Sequence, residues 1–141
     1  MKKNNNIVLH IAFLVYFAIL LRMTVLRPGF LESEPLSGVV VWRIFEMYRQ
    51  FIRNHAWGTF TYYLIGNILC FIPLGYYLKR VTPWPTWILV GLSAAVSVAI
   101  EIGQYVLGTG VSELDDVLLN TLGAGIGIVT AILINKTRKV E

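Results

Sequence analysis

Four long apolar runs divide the chain, at about Ile7 to Leu26, Phe60 to Leu78, Trp87 to Leu107 and Val117 to Ile134. Each is close to the roughly 20 residues an α-helix needs to cross about 30 Å of hydrocarbon. The second and third are separated only by Lys79-Arg80-Val81-Thr82-Pro83-Trp84-Pro85, a turn rich in helix breakers, so they run antiparallel as neighbours. The pattern predicts an all-α polytopic membrane protein, a bundle of four transmembrane helices. A strand-rich or soluble fold leaves these four runs unexplained. The first run, preceded by Lys2 and Lys3, reads as an uncleaved signal anchor, because no small-residue cleavage site follows it.

A different period marks the segment between the first two runs. From Val40 to Arg53, Val40, Val41, Ile44, Phe45, Tyr48, Phe51 and Ile52 recur at helical spacing, while Arg43, Glu46, Gln50 and Arg53 take the other face. This segment is too polar to span. It predicts an amphipathic helix over about 40–53, lying at the interface, packed on the bundle, or both.

Composition reinforces this picture. In a chain of 141 residues, enough for one domain, 56% are apolar and 14% charged, against about 25% charged in soluble domains. The formal net charge of +4 does not point to nucleic acid, because Lys2, Lys3, Lys79, Arg80, Lys136, Arg138 and Lys139 flank apolar runs instead of forming one patch. Those flanks put both termini and the 79–85 turn on the cytoplasmic side, with the 27–59 and 108–116 loops outside. Arg27, Arg43, Arg49 and Arg53 in the first outer loop oppose that assignment, and Glu32, Glu34 and Glu46 offset them. Cys70, the sole cysteine, has no disulfide partner, and no Cys/His spacing suggests a metal.

Polar residues within the runs need a reason to be there, since an ionisable group at a helix centre costs roughly 2.5–3.5 kcal/mol on insertion scales. Ser93, Ser97, Glu101 and Gln104 share one face of the third helix, and Asp116, Asn120, Gly123, Gly127 and Thr130 one face of the fourth. Gly123 and Gly127 form a small-xxx-small pair that admits a close neighbour. Tyr63 and Asn67 lie one turn apart on the second helix. At 1.5 Å per residue, Glu101 and Asn67 lie roughly 9–10 Å inside the outer boundary, and Asn120 and Arg22 about 6–10 Å. Helices of alternating direction therefore place these groups in one outer layer. Arg22 either snorkels to the outer headgroups or pairs with Glu101 or Asp116. Asp115 and Asp116 read partly as helix-start acids, with Ser112 and Asp115 resembling a capping box. Asn67 and Asn120 read as interhelix hydrogen-bonders or site residues. Glu101 must be protonated, paired or facing water. Pro73 is expected to bend or interrupt the second helix.

Three segments also carry a resemblance. Asn67 to Pro73-Leu74-Gly75, Ser97 through Glu101-Ile102-Gly103-Gln104, and Asp115-Asp116 through Asn120-Thr121-Leu122-Gly123 resemble, in order and spacing, the motifs of the VanZ-like membrane protein family. The resemblance covers about residues 7–135. It implies a bacterial cell-membrane protein of a family whose founding member is associated with resistance to the lipoglycopeptide teicoplanin. Many relatives carry a basic residue shortly before the acidic pair. Here Gly108 to Glu113 has none, and Glu113 stands in as an extra acid.

Together these readings predict a module that binds or senses an amphiphile at the outer leaflet, a lipoglycopeptide antibiotic or a lipid-linked cell-wall precursor. Candidate ligand-binding residues are Arg22, Asn67, Glu101, Gln104, Asp115, Asp116 and Asn120; Pro73, Gly75, Gly123 and Gly127 are structural. No cofactor or metal is expected, no catalytic residue can be assigned, and the oligomeric state is open. The alternative is a membrane-embedded enzyme, transporter or flippase acting on lipid-linked envelope material.

Overall fold

The structure, a computed structural model, describes residues 2–26, 34, 36 and 38–137, with the backbone alone for 2–6. The charges assigned above to Arg27, Glu32, Arg138 and Lys139, and the side chains of Lys2 and Lys3, lie outside the described residues. Its elements are α1 (Lys2–Thr24), β1 (Val39–Val41), α2 (Glu46–Arg53), α3 (Trp57–Val81), α4 (Thr86–Leu107), β2 (Val111–Glu113) and α5 (Leu114–Thr137). α1, α3, α4 and α5 are long and apolar enough to cross a membrane. Ile11, Leu14, Ile19, Leu69, Ile102, Leu122 and Leu133, on all four of these helices, are exposed, as lipid-facing residues are.

Contacts between the helices fix their directions. His10 Nδ1 lies 2.8 Å from the Tyr77 hydroxyl, and Phe13 stacks on the Tyr77 ring with centroids 3.6 Å apart. The Tyr16 hydroxyl, further along α1, donates to the Cys70 carbonyl, earlier in α3. α1 and α3 are therefore antiparallel. Thr24, at the end of α1, meets Gln104, near the end of α4. Asn67 meets Asp116 and Arg80 meets Asn135, so α3 and α5 run parallel. Directions alternate through the four helices, as the sequence pattern requires.

The closest packing is between α3 and α5. A methyl group on Gly75 would collide with the Ala124 carbonyl, one on Gly123 with the Ile68 carbonyl, and one on Gly127 with the Ile72 carbonyl. Glycine at these three positions lets the two backbones touch, the close approach expected of small-xxx-small faces in lipid. Phe71, Leu74 and Ala124 from this seam join Leu20 and Ile100 in the buried core.

The segment between α1 and α3 departs from expectation at the start of the amphipathic helix predicted over 40–53. Val39–Val41 is a strand, paired in parallel with Val111–Glu113 so that Val39 faces Val111 and Val41 faces Glu113. The helical pattern over 40–53 is realised only from Glu46 onward. Three consecutive β-branched valines favour extended backbone, and pairing with the second outer segment satisfies their polar groups. Phe45, in the left-handed region at φ 57°, turns the chain from strand into α2. α2 then packs across the start of α3, with Tyr48 edge-on to Phe60 and Phe51 stacked on Tyr63.

Further expectations need correcting. α3 runs unbroken through Pro73, which is exposed, so the loss of one backbone hydrogen bond does not interrupt a helix clamped against α5. Thr130 is exposed and bonds the Ile126 carbonyl on its own helix, so it is not part of the shared face of α5, which continues from Gly127 to Ala131 instead.

Candidate functional site

The polar groups collect at the end of the bundle where α1 and α4 finish and α3 and α5 begin. The opposite end carries Lys79, Arg80 and Lys136. The grouping comes from pairwise contacts stitched through the first turns of α5. Asp116 accepts from the Asn67 amide on α3. One turn deeper, the Asn120 amide donates to the Ser97 hydroxyl on α4 at 2.8 Å. Ser97 is fully buried and Asn120 nearly so, so this pair is a true interior contact. Gln104, also buried, donates to the Thr24 carbonyl at 3.3 Å and ties α4 to the end of α1.

Strand β2 joins the site from outside the spans. Glu101 Oε2 accepts the Glu113 backbone N–H at 2.9 Å, and the Ser112 hydroxyl donates to the Glu101 backbone carbonyl at 2.7 Å. Ser112 therefore does not cap α5; its hydroxyl faces α4 instead. Asp115, fully buried in the first turn of α5, also looks away from its own helix. Both its oxygens accept the Phe45 backbone N–H at 2.8 Å. Among the predicted residues, Arg22 alone sits apart, exposed at the end of α1 and donating to the Leu26 carbonyl.

Glu113 is the residue whose importance sequence reasoning underweighted. It is 4% exposed, and neither carboxylate oxygen has a hydrogen-bond partner. Burial, with Asp116 and Asp115 adding negative charge, pushes its carboxyl from the ordinary 4.5 up to about 7. Ser112 and Glu113 are both buried although neighbours in a strand point to opposite faces, so no local alternation marks Glu113; it is enclosed because β2 lies between α4, β1 and the start of α5. Tyr48, buried on α2, faces the same end; burial and then Asp116 raise its phenol above the ordinary range.

A groove of about 630 Å³ opens beside these acids, between α4, the β1–β2 pair and the start of α5. Val41, Trp42, Val98, Ile102 and Tyr105 make apolar walls, and Glu101, Ser112 and Glu113 form a polar patch between them. Among the described residues, no three or more His, Cys, Asp or Glu side chains are arranged to hold a metal ion. The arrangement suits an elongated guest with one polar end.

A family model described as VanZ/LLP1 matches residues 6–135. The chain belongs to the VanZ/LLP1 family. The match takes in most or all of each of the four long apolar helices and both paired strands, and a VanZ/LLP1 protein with four such helices is a multi-pass membrane protein. No curated protein and no solved structure matches it.

Proposed function

We propose that this VanZ/LLP1 protein resides in the bacterial cell membrane with both termini cytoplasmic and contributes to resistance against teicoplanin-type lipoglycopeptides. In this reading it binds an amphiphile at the outer leaflet, the antibiotic itself or an envelope component that the antibiotic engages. The groove carries the reading, because its apolar walls flank buried carboxylates in the half of the bundle remote from Lys79, Arg80 and Lys136. Basic residues favour the cytoplasmic side, which makes the acidic end the outer one. An acyl chain fits the walls, and a donor-rich polar end fits the carboxylates.

The test is teicoplanin susceptibility of cells expressing Glu101→Gln, Asp116→Asn and Asn120→Ala variants, with membrane levels measured in parallel. Reduced resistance at normal levels is the expected result. Full resistance in all three variants would exclude this polar cluster, with Glu101 its member in the groove, from the activity.

A further inference from the structure

The groove has a charge preference. Among the described residues, its charged lining is Glu101 and Glu113, with no Lys, Arg or His. Glu101 is engaged by the Glu113 backbone N–H. The Glu113 side chain, by contrast, is enclosed beside the groove, and both its oxygens are unpartnered among the described residues. A buried carboxylate in that state lacks hydrogen-bond donors and a compensating positive charge. Asp115 and Asp116 deepen the negative field around it.

Resting on the reading that this groove holds an amphiphile, we propose that its occupant is a lipid of the surrounding leaflet with a primary ammonium headgroup. The ammonium nitrogen sits on the Glu113 carboxylate, which turns about its own side-chain bonds to meet it. One acyl chain runs from there along Val98 and Val117, which line the groove about one turn inward of Glu101 and Glu113. An ammonium brings three donors and a positive charge, the two things Glu113 lacks. An anionic headgroup brings like charge against Glu101 and Glu113, and a neutral alcohol brings a donor without charge.

Trp42 on the groove wall provides the readout. The full chain carrying Trp57→Phe, Trp84→Phe and Trp87→Phe is placed in phosphatidylglycerol nanodiscs. Brominated-chain phosphatidylethanolamine or brominated-chain phosphatidylglycerol is added at equal small mole fraction. The expected result is Trp42 quenching about threefold stronger from the aminolipid, a modest preference in keeping with one ion pair. Dodecylammonium should abolish the excess and dodecanol should not. Glu113→Gln should remove it, and Glu113→Asp, which keeps the carboxylate, should retain part of it. Equal quenching by the two lipids, or an excess that survives Glu113→Gln, overturns the ammonium assignment. Displacement by dodecylammonium without any aminolipid preference overturns it too, in favour of a soluble cationic amphiphile. The underlying reading fails separately: if Val98→Phe, which fills the groove, leaves quenching by both lipids unchanged, no chain occupies it.

Discussion

The Asp115 carboxylate holds the backbone N–H of Phe45, with each oxygen 2.8 Å from the nitrogen, across 70 residues of sequence. Phe45 has φ 57°, a conformation that costs a non-glycine residue roughly 1–2 kcal/mol. A hydrogen bond to a charged acceptor contributes about 1.5–3 kcal/mol and offsets that strain. One acid at the start of α5 thus sets the corner from which α2 departs.

Asp115→Ala is expected to destabilise the protein by about 2 kcal/mol, the worth of that charge-assisted bond. Because the carboxylate is what holds Phe45 in place, proteolytic cleavage near Phe45 should accelerate in the same variant. Thermal unfolding in detergent micelles, with limited proteolysis alongside, measures both.

Glycines on α5 should respond in opposite ways to the same change. Gly123→Ala and Gly127→Ala force a methyl into the Ile68 and Ile72 carbonyls and should lower stability by about 2 kcal/mol or more each, typical of overpacking. Gly125→Ala, with nothing within 4 Å, should be neutral or slightly stabilising through helix propensity. Unfolding midpoints of the three variants under one condition decide this.

Ser97 and Asn120 should couple weakly. A double-mutant cycle with Ser97→Ala and Asn120→Ala is expected to return about 0.6 kcal/mol, and no more than about 1.7, the range for interhelix hydrogen bonds in lipid. A coupling near zero would mean that the 2.8 Å contact contributes nothing to stability.

Glu113 sets a pH dependence. Its carboxyl titrates at about 7 in the folded protein against 4.5 ordinarily, so between those values the folded state holds a proton that the unfolded state has lost. Stability is therefore highest below about pH 4.5 on account of this group and falls as pH rises to 7. Allowing for screening, the loss is about 1–2 kcal/mol. Glu113→Gln should flatten that fall, as read from unfolding midpoints at pH 5 and pH 8 in detergent.

Much of the architecture was legible because lipid makes simple demands. Span length, flanking Lys79 and Arg80, and the Gly123/Gly127 spacing each follow from local composition, and alternating directions placed Glu101, Asn67 and Asn120 at one end. What escaped was non-local. No window around Val39-Val40-Val41 reveals that its partner is Val111-Ser112-Glu113, and valines at helical spacing from Ile44 and Phe45 imitate an amphipathic helix. The role of Glu113 depends on that pairing, so it was hidden for the same reason. Ser112 looked like a cap because capping is the local use of a serine before a helix; the α4 carbonyl it bonds is invisible in sequence.

The parallel seam between α3 and α5 also orders events in time. α4 lies between them in the chain, so α3 enters the bilayer during synthesis before its main partner exists. Until α5 emerges, Gly75 and the carbonyls of Ile68 and Ile72 face lipid or α4, and Asn67 waits for Asp116. With α1, α3 and α4 in the bilayer and α5 not yet there, three helices lack their central contact. Insertion and assembly are thus separate stages, and α5 is the helix that locks the other three together.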